Sequence, residues 1–187
     1  MMNRAQPPTG ELLNEFTANL VKVFEIRGAI LGKLDLQKTV YFMKRLGVRV
    51  PFEFRWNLLG PYSYELAHYS VHLEIEGLLS YSGKYQLNED KAEEYRSRHT
   101  LSQGMVERIK RFFDNMEKLC SEKSYDKINF IECAASLDFI SQNVTVRRNK
   151  DDVFHLLEKL KPEKEVFKTM REDAWEFLRI EKLVDHQ

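Results

Sequence analysis

Residues 49–58 change the apolar period of a chain that is otherwise patterned for helices. Val50, Phe52, Phe54, Trp56 and Leu58 alternate with Arg49, Pro51, Glu53, Arg55 and Asn57. A period of two places successive side chains on opposite faces, which predicts a half-buried strand over residues 50–58; Pro51, which cannot donate to a ladder, puts it near a sheet edge. On both sides the apolar spacing returns to three and four. A chain with this switch is expected to be mainly α with a small antiparallel β-sheet.

Residues 1–8 read as a disordered leader. Thr9 suits the N-cap of a first helix carrying Leu12, Leu13, Phe16, Leu20, Val23 and Phe24, with Gly28 and Gly32 punctuating its end. Asp35 is expected to cap a second helix through Leu36, Val40, Met43 and Leu46, closed by Gly47. After the strand, Gly60-Pro61 acts as a breaker and Ser63 caps a third helix that buries Leu66, Ser70 and Leu73 and stops at Gly77. Leu79, Tyr81, Tyr85 and Leu87 flank Ser82-Gly83-Lys84, the pattern of a hairpin. The order helix, helix, strand, helix, hairpin predicts a winged-helix-like unit over residues 9–90. A helix-turn-helix joins its helices by about 3–4 residues, and here a strand intervenes.

Residues 91–187 are expected to form a helical unit packed on the first, or to share one continuous domain with it. Asp90–Arg98 reads as a charged connector. Met105, Ile109, Phe112, Phe113, Met116 and Leu119 make the cleanest amphipathic stripe, whereas Ile128, Ile131, Ala135 and Phe139 are more roughly spaced. After the basic run Arg147-Arg148-Asn149-Lys150, Asp151 or Asp152 is expected to cap a short helix with Val153, Leu156, Leu157 and Leu160. Pro162 suits the first turn of a last helix through Phe167, Met170, Ala174, Phe177 and Leu178.

Charge limits the partners. The 29 basic and 29 acidic residues cancel, and the signs also balance within residues 1–90. A phosphate-driven binder normally carries a basic excess, so nucleic acid is disfavoured. Cys120 and Cys133 lack metal-type spacing and suit buried thiols in a reducing compartment. With neither a signal peptide nor an apolar run able to cross a bilayer, the chain is expected to be cytoplasmic and not membrane-bound.

Leu36-Gln37-Lys38-Thr39-Val40-Tyr41-Phe42, Phe52-Glu53-Phe54-Arg55-Trp56, Leu59-Gly60-Pro61-Tyr62-Ser63, Glu65-Leu66-Ala67 and Glu76-Gly77-Leu78-Leu79 follow one another in order. Over residues 34–80 this series resembles the Panacea domain of SocA-type antitoxins and the YwgA-like proteins. The resemblance implies a helical domain with a small sheet that binds a partner and has no established active site.

Arg55, Trp56, Tyr62 and Tyr64 have the Tyr/Trp/Arg composition of interface hot spots and are the partner-binding candidates. Within the basic stretch Lys38, Lys44, Arg45, Arg49 and Arg55, a nucleic-acid reading would use Lys44, Arg45 and Arg49, with Lys84 on the wing. A solvated face balanced by nearby acids accounts for the same residues. The third helix carries Glu65, Glu74 and Glu76 and no Lys or Arg, which repels phosphate. His68 and His72, four apart, are weak metal candidates, because a site needs at least three protein ligands. No catalytic motif is present and no cofactor is implied. The sequence therefore predicts a non-enzymatic protein-interaction module, antitoxin-like or an adaptor, with a winged-helix DNA-binding transcription regulator as the alternative.

Overall fold

The computed structural model describes residues 9–144 and 149–184, so the leader and Arg147-Arg148 of the basic run lie outside the described residues. Among the described residues the chain is mainly α, with two small antiparallel sheets. Helices α1 (Gly10–Arg27) and α2 (Lys33–Arg45) precede strands β1 (Arg55–Asn57) and β2 (Gly60–Tyr62). Helix α3 (Tyr64–Ile75) leads to β3 (Leu79–Tyr81) and β4 (Tyr85–Leu87). Then come α4 (Glu89–Arg96), α5 (Gln103–Lys123), α6 (Lys127–Asn143), α7 (Lys150–Leu160) and α8 (Val166–Ile180).

Helix α6 is the centre of the packing. It is buried on every face from Phe130 to Ser141. A helix covered all round has no polar stripe, which explains its rough spacing. It packs against α2, α7, α8 and β2. Helix α2 is buried from Asp35 to Met43. One apolar cluster runs from Phe16 in α1 to Val184, through both halves of the chain. No helix among the described residues is long and apolar enough to cross a membrane.

Several boundaries differ from expectation. The ladder of β1 covers three residues, not 50–58. Val50 and Phe52 are buried all the same, and the Phe52 ring meets Phe16 at 5.0 Å and Tyr69 at 5.6 Å. Their alternation reflects packing on α1 and α3 without strand pairing. Gly60-Pro61 does not end the sheet; it forms the second strand, with Asn57 opposite Gly60 and Arg55 opposite Tyr62. The hairpin at 79–87 forms as predicted, in register Leu79–Leu87, but as a separate sheet. Ile30 adds a single bridge to Tyr85.

Thr9 and Ser63 cap α1 and α3 as expected. Asp35 does not cap α2, which starts after Gly32; its carboxylate instead accepts from Leu31 N at 2.8 Å and from Arg27 at 2.9 Å. The connector at 90–98 is mostly α4, capped by Asn88. Asn149, not Asp151 or Asp152, caps α7, and Pro162 lies in the turn before α8.

Candidate functional site

The stretches Leu36-Gln37-Lys38 and Gly60-Pro61-Tyr62-Ser63 meet. The buried Gln37 amide donates to Ser63 O and accepts from Ser63 N, both at 2.9 Å. That reciprocal pairing satisfies a buried backbone unit as a strand partner would. One residue on, Lys38 is fully buried and donates to Pro61 O at 2.6 Å. Burial pulls its ammonium down to about 7, with Glu132 opposing and Lys161 reinforcing the shift. Gly60 adopts φ +77°, and a Cβ there would lie 2.5 Å from Ser136 Oγ on α6. Only glycine lets the hairpin sit this close.

The hairpin is held from below as well. Lys161 donates to Leu58 O at 2.7 Å and to the Glu132 carboxylate, which also pairs with Lys164 at 3.1 Å. Lys38, Glu132 and Lys161 are all essentially inaccessible. A buried polar set of this kind fixes one geometry when its members are paired. The motif residues thus act inward, as anchors, and present the other side of the hairpin to solvent.

On that outer side, Arg55 and Tyr62 are register partners, the Tyr62 and Tyr64 rings meet edge-on at 5.1 Å, and Asn57 donates to the Tyr64 hydroxyl at 3.0 Å. Trp56 faces the opposite way, half-buried against Phe139 at 6.1 Å and under the Lys161 ammonium at 5.9 Å. Three of the four partner candidates are therefore grouped and Trp56 is not.

The nucleic-acid candidates are scattered. Arg45 is committed to Asp138, from Nε at 2.7 Å and Nη2 at 3.1 Å, and to Leu183 O at 2.9 Å. Tyr41 donates to the same carboxylate at 2.5 Å. Burial raises both the Asp138 carboxyl and the Tyr41 phenol above their ordinary values. Lys44 bonds Phe52 O and Glu53, Arg49 pairs with Glu15, and Lys84 is exposed at the β3–β4 turn. The solvated-face reading of the basic stretch fails for Lys38 and Arg45, whose acceptors come from distant segments. His68 and His72 are exposed on α3. Among the described residues no group of three His, Cys, Asp or Glu could hold a metal ion. Cys120 and Cys133 are buried thiols, with burial pushing Cys120 up to about 11 and Cys133 further.

No protein-family model matches the chain, and no solved structure does. The YwgA-like resemblance read from the motifs is found directly. Uncharacterized protein YwgA of Bacillus subtilis (strain 168) is 31% identical over 86 residues, 46% of this chain and 49% of that protein. DNA ADP-ribosyl glycohydrolase of Thermus aquaticus is 34% identical over 76 residues, 37% of this chain and 21% of that protein. The chain thus spans about half the length of the first relative and about a fifth of the second.

The second similarity corrects one expectation. Missing catalytic motifs predicted a protein without enzymatic activity, yet a related segment occurs in a protein named as an enzyme. Catalytic residues converge from distant positions, so absent motifs carry little weight against it. A match to 21% of that protein does not by itself carry its activity across.

Proposed function

We propose that this chain is a partner-binding module for another protein, antitoxin-like or an adaptor, acting through the outer face of the β1–β2 hairpin and α3. The observation that carries this reading is an exposed apolar surface on a rigid mount. Leu58 at the hairpin tip is 76% exposed and Ile75 on α3 is 77% exposed. Leu59, Tyr64 and Val71 are exposed as well. Tyr64, His68, Val71 and Ile75 follow the i, i+4, i+7, i+11 spacing of one helix face, the pattern used for docking against a partner. The acids on α3 favour protein over phosphate backbone. A DNA regulator built on Lys44, Arg45, Arg49 and Lys84 has less support, because Arg45 is spent on Asp138.

The test is affinity capture from the native host with the wild-type chain and with Leu58→Glu/Ile75→Glu. A stoichiometric protein retained by the wild type and lost from the variant is the expected result. Equal recovery by both would remove this face from consideration. A second reading, removal of ADP-ribose from DNA, is favoured by the similarity to the glycohydrolase. Release of free ADP-ribose from an ADP-ribosylated oligonucleotide by the purified chain would place that reading first.

A further inference from the structure

We propose that the cavity between α7 and α8 is a binding site for the phosphoryl group of a small phosphate monoester. The cavity measures about 180 Å3, below the roughly 300–1,000 Å3 of sites for drug-sized ligands. Its lining includes Lys161, Lys164, Lys168 and Arg171; the Lys161 side chain is fully covered, whereas Lys164 and Arg171 keep 26% and 25% of theirs exposed. Leu157, Pro162 and Phe167 supply an apolar lining, room for a short organic substituent but not for a nucleotide.

Charge stoichiometry points to the ligand. Two of the cations are cancelled by acids of the same lining, Arg171 by Glu158 and Lys168 by Glu165. Around Glu132 they do not. The single Glu132 carboxylate pairs with both Lys161 and Lys164 and also faces the buried Lys38. Three lysines therefore share one buried acid, although burial lowers the pKa of both Lys38 and Lys161. Glu163, the remaining acid near Lys161, is exposed, where solvent screens it. The surplus is one to two positive charges, depending on whether Lys38 holds its proton, and a phosphate monoester carries about −1.5 to −2 near pH 7. Burying a surplus of like charge is costly unless a counter-ion completes it.

The donors are also held ready. Lys164, the open donor, lies 5.6 Å from the Phe167 ring centroid, and the covered Lys161 lies 5.5 Å from the same ring and supplies charge from behind it. Lys164 gives one hydrogen bond to the protein, to Glu132, of the three an ammonium can make, and its side chain keeps 26% exposure. The guanidinium of Arg171 stands 4.9 Å over the Phe154 ring, which fixes its plane. Arg forks and Lys point charges together are the usual recognition set for phosphate.

The experiment is a titration of the full chain with inorganic phosphate at about 0.15 M salt, followed by amide shifts in two-dimensional NMR. Saturable shifts confined to residues 157–171 are expected, with affinity about tenfold lower in Lys164→Gln, which leaves Lys161 on Glu132. Arg171→Gln serves as a second variant with the same expected direction. Lys110→Gln removes an equal charge from the Lys110–Asp114 pair on α5, outside the cavity lining, and should leave the affinity unchanged. No saturable shift, equal weakening by Lys110→Gln, or acetate binding as tightly as phosphate would overturn the proposal.

Discussion

Asp138 is fully buried, and its two oxygens accept from Tyr41 and Arg45, residues nearly a hundred positions earlier. Removing one partner of a buried pair typically costs about 3–5 kcal/mol, because the other is left uncompensated. Arg45 keeps 29% side-chain exposure and can reach water, so the low end applies. Asp138→Asn is expected to lower unfolding stability by about 3 kcal/mol in urea denaturation; a loss under about 1 kcal/mol would mean that Arg45 is paired in name only. Neither Asp138 nor Glu132 could be singled out from the sequence. A buried acid looks like a surface acid until its partner is known, and these partners lie on other helices. Lys38 and Arg45 hid in the same way, inside what reads as an ordinary basic stretch. Ser63 and Thr9 were legible because a cap is a local device that needs only the next three residues.

Helix α2 holds the β1–β2 hairpin through Gln37 and Lys38, and one of these grips depends on pH. The folded Lys38 titrates at about 7 against 10.5 for an ordinary lysine. Between those values the unfolded chain keeps a proton that the native state gives up, so stability rises with pH across that window. Lys38→Met lacks this term. Relative to that variant, the wild type should gain about 1.4 kcal/mol per pH unit between about 7 and 10, measured by urea denaturation at several pH values. A difference that does not vary with pH would place the Lys38 ammonium in water. Hairpin β3–β4 was readable because turn residues sit between two alternating pairs. Strand β2 was not, since Gly60 and Pro61 are the strongest local breakers and only their seat on α6 makes them a strand. The overlong β1 has the converse cause: Val50 and Phe52 alternate to fill a core that α1 and α3 provide.

Across the whole molecule, the apolar cluster and the α2–α6 contact tie residues 9–90 to the rest. Trp56 lies in the first half and Trp175 in α8, so fluorescence samples both. A single transition in urea, coincident by fluorescence and far-UV circular dichroism, is expected, and a fragment of residues 9–90 should show no cooperative transition. Two separated transitions would divide the chain into independent units. The helical class and the rise and fall of the apolar period were legible at this scale; the central position of α6 was not, because a helix buried on every face carries no directional pattern. The Arg45 guanidinium, which bonds both Asp138 and Leu183, also has a bearing on synthesis. Its two acceptors lie 93 and 138 residues downstream. At about 5–20 residues per second on the ribosome, Arg45 waits several seconds for the first and longer for the second. Throughout that interval α2 has neither its ion pair nor the α6 surface it packs against. The nascent N-terminal half is therefore expected to keep the α2 surface uncovered until α6 has been made.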